Sequence, residues 1–175
     1  LLHQRGISFE QSFDELNLSN PALVAEIHRE YIEAGSQIIQ TNTFGSNRYK
    51  LAQHGLENRV AEINIAAVEL ARRVVLASFK QVLIAGDVGP LGVRLAPFGR
   101  VQPEDARVAF REQITALAGA GVDLVIIETM TDLFESREGV AAAREVAPHL
   151  PVVASMTFTR DDRTLLGDDP AKVAR

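Results

Sequence analysis

The chain has no cysteine in its 175 residues. A disulfide framework is therefore excluded, and the cytoplasm is the expected compartment. It also lacks any apolar run of the roughly 18 residues that a membrane span needs. The first residues, Leu1-Leu2-His3-Gln4-Arg5-Gly6, have no apolar core of the signal-peptide kind. Positive charge is in the minority. A net charge of −5 and a pI near 5.4 argue against a general nucleic-acid binder, which needs a basic face. No Gly-Lys-Ser/Thr phosphate loop is present, and Gly86-Asp87-Val88-Gly89 lacks the third glycine and the directly following helix of a dinucleotide fingerprint. The four histidines, His3, His28, His54 and His149, never pair at helical spacing, so a histidine zinc site is not expected.

What remains is a globular composition, 46% apolar, of a length suited to one domain. Apolar residues at 3–4 spacing predict a helix from about Pro21 to Ala34, with Asn20 as its cap and Gly35 as its stop. Val24, Ile27, Tyr31 and Ala34 form its expected inner face. Further helices are expected over about Glu57–Ser78, from Pro103 to Gly121, over Leu133–Val146, and from Pro170 onward. Val60, Ile63, Ala67, Leu70 and Val74 mark the core face of the second, and Ala106, Phe110, Ile114 and Leu117 that of the third. Between them lie four short apolar runs, Gln37–Asn42, Gln81–Gly86, Asp123–Ile127 and Val152–Phe158, with no polar alternation. Such strands are buried on both faces, as in a parallel sheet covered by helices.

The fold class is α/β. Repeated strand–helix units fit either a doubly wound sheet or part of a (β/α)8 TIM barrel. Each strand ends in a polar residue, and the chain stops early in a helix, which favours the barrel. A whole barrel needs about 250 residues. The expectation is approximately strands 2 to 5 with their helices, residues 1–175 lacking the first strand and the C-terminal ones.

The polar strand tips carry the chemistry. Gln40-Thr41-Asn42-Thr43-Phe44-Gly45 closes the first strand, and Asp87, Glu128 and Thr157 close the others. Each also has a structural reading. Glu128 could cap the helix beginning near Asp132, and Thr41 and Asn42 could satisfy backbone groups in a turn. Phe44 could belong to the core. For Asp87, turn chemistry in Asp-Val-Gly-Pro is the favoured reading. Asn47 and Arg48 read as surface residues, and Arg160–Arg163 as a solvated loop.

Several segments together resemble the homocysteine S-methyltransferases, a zinc-dependent barrel family. They are Phe13-Asp14-Glu15-Leu16-Asn17, Ala34-Gly35, Gln40 through Gly45, Lys50-Leu51-Ala52-Gln53-His54-Gly55-Leu56-Glu57, Phe110-Arg111-Glu112-Gln113 and Ile127-Glu128-Thr129. The likeness is greatest to bacterial proteins that fuse this barrel to a methylenetetrahydrofolate reductase.

The resemblance implies methyl transfer to the sulfur of L-homocysteine to form methionine. It implies substrate binding by Glu128, which takes the amino group, with Thr41, Asn42 and Phe44 lining the pocket. Backbone N–H groups at loop ends would take the carboxylate. Zinc, which would activate the sulfur as a thiolate, is expected on cysteines beyond Arg175. Donors used within the family include methyltetrahydrofolate through cobalamin, betaine, S-methylmethionine and S-adenosylmethionine. The expected partners are thus a small thiol and a methyl donor, with no nucleic acid and no membrane, and with a fused reductase in the full protein. Two alternatives stand beside this reading: a metal-dependent barrel aldolase or lyase working through Glu128 and Asp87, and a non-catalytic fragment or binding module.

Overall fold

The computed structural model describes residues 2–174. Four parallel strands, β1 (Ile38–Gln40), β2 (Leu83–Val88), β3 (Leu124–Met130) and β4 (Val152–Met156), make one sheet in the order β1-β2-β3-β4. Spatial order follows chain order without reversal, so there is no switch point of the doubly wound kind. Among the described residues the sheet does not close. It is an open segment of a (β/α)8 barrel.

Helices α2 (Pro21–Glu33), α4 (Val60–Ser78), α5 (Pro103–Ala120) and α6 (Leu133–Val146) pack on the sheet and on one another. Short helices α1 (Leu16–Ser19), α3 (Arg48–Ala52) and α7 (Pro170–Val173) occupy the intervening segments. The α5 stripe Ala106, Phe110, Ile114 and Leu117 is wholly buried. Full burial of each of its larger side chains contributes about 1.5–3 kcal/mol. The left-handed Gly121, at φ 94°, ends that helix. The expected α4 face, from Val60 to Val74, is likewise buried.

Three expectations need correction. The buried face of α2 is Val24, His28 and Ile32 rather than Val24, Ile27, Tyr31 and Ala34. Hydropathy hid this because the buried face includes a histidine, whose ring is held neutral by burial, with its pKa lowered to about 4. Ile27 and Tyr31 instead line a groove along the free edge of β1. The helix expected from Glu57 starts as a 3-10 turn, Glu57–Arg59, and becomes α-helical at Val60. Most consequential for the site are the strand ends: β1 is shorter than expected, while β2 and β3 run two and three residues further. Asp87 and Glu128 are therefore strand residues whose direction is set by the pleat.

One sheet face is covered and the other is open. Ile38, Leu83 and Val153 are 46%, 49% and 46% exposed on the concave side. At the carboxyl end of that side lie the polar tips.

Candidate functional site

Strand β1 stops pairing at Gln40, yet β2 continues to Val88. Two threonine hydroxyls supply what the missing strand does not. The Asp87 N–H donates to Thr41 Oγ1 at 3.0 Å, and Thr43 Oγ1 donates to the Asp87 carbonyl at 2.7 Å. The hydroxyls themselves meet at 2.6 Å. Since the only Thr43 hydroxyl proton is already given to Asp87, Thr41 must be the donor between them. Gln113, wholly buried on α5, closes the arrangement by donating to the Thr43 carbonyl at 2.8 Å. Threonines spaced i, i+2 thus extend the ladder with side chains where the backbone turns away.

The next residues are docked by close backbone approach. A Cβ on Gly89 would stand 2.5 Å from the Phe44 carbonyl and 2.6 Å from its ring, so only glycine lets this loop lie flat. The Gly45 N–H donates to Asp14 at 2.8 Å. Asn47 is fully buried and caps α3, accepting from the Tyr49 and Lys50 N–H groups at 3.1 Å each. This corrects its reading as a surface residue. Helix α3 in turn sets Lys50, whose ammonium lies 4.2 Å from the Phe44 ring centroid.

Glu128 is aimed by a local irregularity. The β3–β4 register slips between Ile127 and Met130, and Thr129 takes φ 58°, a costly conformation for a β-branched residue. A bulge of this kind re-aims a side chain, and strain is retained where surrounding packing enforces it. The Glu128 carboxylate accepts from Gln40 Nε2 at 2.9 Å and from Thr129 Oγ1 at 3.3 Å. It caps no helix. That role belongs to Asp132, which accepts from the Phe134 N–H at 2.8 Å.

Asp87 is only 6% exposed, and its carboxyl lies within hydrogen-bonding reach of Glu128. Burial first, then the Glu128 charge, pushes its pKa up to about 8. The side chain therefore points to the site rather than into the turn, correcting the favoured reading. Glu135, accepting from the Leu91 N–H at 2.7 Å, is raised to about 7 by burial. Burial also raises Asp14. Lys50 is lowered by burial, an effect opposed by Asp14, Glu135 and Asp87. Three carboxyl groups thus surround one lysine.

The residues singled out by resemblance occupy one neighbourhood in different ways. Glu128 is partly exposed at the strand end, and Phe44 is 37% exposed. Thr41 is 2% exposed and its hydroxyl is engaged in the ladder. The Asn42 amide donates to the Phe13 carbonyl at 2.6 Å, tying the tip to the N-terminal segment. Gln40, Lys50 and Glu135 were not singled out in the sequence. Gln40 was read only as part of the first polar tip, Lys50 lies on a helix remote in sequence from Glu128, and Glu135 lies inside the following helix, where nothing local marks it. Strand-end position was the available sequence signal, and it marked the Gln40 to Gly45 tip, Asp87, Glu128 and Thr157 but neither Lys50 nor Glu135.

The chain's own residues do not fit a zinc ion. It has no cysteine, and among the described residues no group of three His, Asp or Glu side chains has the spacing to hold a metal. No described helix is long and apolar enough to cross a membrane.

Known proteins give the arrangement a family. A solved homocysteine methyltransferase from Escherichia coli, MmuM in its metallated form, superposes with a TM-score of 0.85 at 26% identity, over 98% of this chain and 65% of MmuM. Its apo form gives 0.78 at 25% identity, over 99% and 62%. Methionine synthase of Mycobacterium tuberculosis is 30% identical over 161 residues, 88% of this chain but only 13% of the relative's length. The Mycobacterium leprae protein is 29% identical over the same shares. The chain thus spans less than two thirds of each of these proteins. The homocysteine S-methyltransferase family model matches residues 2–175. On that match, covering nearly every residue, the chain belongs to the homocysteine S-methyltransferase family.

Proposed function

We propose that this chain supplies the amino-acid-binding part of a barrel that methylates the sulfur of L-homocysteine to give methionine. The observation that carries the reading is the carboxylate of Glu128, held by Gln40 and Thr129 at the open mouth of the sheet. In this reading Glu128 takes the substrate ammonium through a charge-assisted hydrogen bond. Phe44 offers an apolar wall for the side-chain methylenes, and Thr41 and Asn42 frame the floor and rim. Fixing the ammonium at a rigid strand end sets where the sulfur can reach, and positioning of this kind contributes several kcal/mol to methyl transfer. Sulfur activation is assigned to no residue of this chain. A zinc ion, as the metallated relative suggests, would be held by residues elsewhere in the polypeptide.

In this reading the methyl source is methyltetrahydrofolate through cobalamin, the location is cytoplasmic and a reductase is fused to the barrel, all resting on the resemblance of the polar segments to the reductase-fused members of the family. The lyase reading, with a metal on Glu128 and Asp87, lacks support because the pair has no third ligand in reach among the described residues.

The test uses the protein that carries this chain within a closed barrel. Glu128→Ala should raise the homocysteine concentration needed for half-saturation by about tenfold to a hundredfold, the usual loss for a hydrogen bond to a charged group. Metal content should not change. Unchanged affinity together with lost metal would reverse the assignment.

A further inference from the structure

The Asp87 side chain is buried without a full set of hydrogen-bond partners. It projects toward Glu128 from the neighbouring strand, and its Oδ1 has no hydrogen-bond partner. Its backbone is already fully used by Thr41, Thr43 and Gln113, so the carboxyl contributes nothing to the ladder. A turn role is excluded by its place inside β2. A buried carboxyl with a free oxygen, set beside a second carboxylate, costs stability unless something binds there.

We propose that Asp87 and Glu128 form a carboxyl pair that receives the α-ammonium of the amino-acid substrate, with loss of one shared proton on binding. This rests on the reading that Glu128 takes that ammonium. In the empty site Asp87 carries the proton and donates it to Glu128. When R–NH3+ enters, both carboxyls face it as carboxylates and the proton leaves to solvent. Charge balances: the pair at −1 and the ligand at +1 become the pair at −2, the ligand at +1 and a free proton.

The groups around Asp87 support this direction. Glu128 on β3 and Asp14 ahead of α1 disfavour a second negative charge, while Lys50 on α3 favours it. Gln40 of β1 and Gln113 of α5, also nearby, are neutral. With the carboxyl titrating near 8, about 0.9 of a proton is bound at pH 7 before the ligand arrives. An ammonium at contact lowers a carboxyl by about 1–3 units, and a lowering of about 2 units leaves only about 0.1 of that proton bound at pH 7. Two negative groups also discriminate. An amino acid is retained, whereas a thiol of similar shape with no ammonium would leave Asp87 protonated and gain little.

The experiment uses L-methionine as the probe, because its thioether has no sulfur proton to confuse the count. Titration calorimetry on the full barrel protein at pH 7, in two buffers of different ionisation enthalpy, should give release of more than half a proton per methionine bound. Affinity should fall by up to about tenfold between pH 7 and pH 6, since the pH slope equals the protons released. Asp87→Asn, checked by its melt and backed by Asp87→Ser, should bind methionine with little proton release and a nearly flat pH profile. The deamino analogue 4-(methylthio)butanoate should release none. Methionine binding without proton release by the unaltered protein, or equal release by Asp87→Asn, would overturn the carboxyl pair and leave the role of Glu128 standing. No methionine binding by the unaltered protein, with Glu128→Ala also leaving homocysteine use unchanged, would overturn both.

Discussion

Replacing Thr41 with valine tests the side-chain extension of the sheet. The two residues have nearly the same shape, so packing is kept while the hydroxyl is lost. In the native arrangement that hydroxyl accepts from the Asp87 N–H at 3.0 Å and donates to Thr43 at 2.6 Å. All three residues are buried, with Thr43 at 0% exposure, so water cannot replace the lost partner. An orphaned buried N–H costs about 1–3 kcal/mol, and the lost hydroxyl pair adds about 1 kcal/mol. The expected sum of about 2–4 kcal/mol is large against the about 5–15 kcal/mol that holds a typical domain together. Urea unfolding of the barrel protein should show it as a lower midpoint with an unchanged slope. Thr43→Val breaks the same ring, so the double variant should lose about 1 kcal/mol less than the sum of the single losses. A Thr41→Val loss below about 0.5 kcal/mol, or strict additivity of the pair, would refute the ring and make the threonines ordinary turn residues.

Two further predictions concern ionisation and surface. Glu135, raised by burial, binds its proton more tightly in the folded than in the unfolded protein, so its stabilising contribution is complete below about pH 4.5 and is lost as pH rises to about 7. Glu135→Gln should therefore be neutral at pH 4.5 and stabilising on the order of 3 kcal/mol at pH 8, read from unfolding midpoints; an equal effect at both pH values would contradict it. As an isolated polypeptide of 19.1 kDa, the chain exposes Ile38, Leu83 and Val153 and two free strand edges. It should self-associate and bind an apolar dye. A cooperatively melting monomer with no dye binding would contradict that.

Helix α6 was legible residue for residue, Leu133–Val146, because helical spacing is a local signal, although its cap proved to be Asp132 rather than Glu128. The cap of α2 by Asn20 was legible as a local signal too. The short helix α3 was not, since its five residues bear too little periodicity and its cap lies inside a polar run. The α2 face was misread because a buried histidine breaks an apolar pattern. Within the site, the strand-end position of Glu128 and the clustering of Thr41 and Thr43 were legible. The hydrogen bond from Gln40 to Glu128 joins residues 88 apart, and no local rule relates them.

By itself the sequence determined the alternation of buried strands and amphipathic helices, the parallel order that follows from it, and the family likeness carried by the polar tips. These depend on period and on near neighbours along the chain. Only the tertiary structure decided which carboxyls share a space. Register between β2 and β3 places Asp87 beside Glu128, and the bulge at Thr129 turns Glu128 toward Gln40. The ionisation of Asp87 follows from that meeting, because desolvation and a neighbouring charge are properties of position in space rather than of position in the chain.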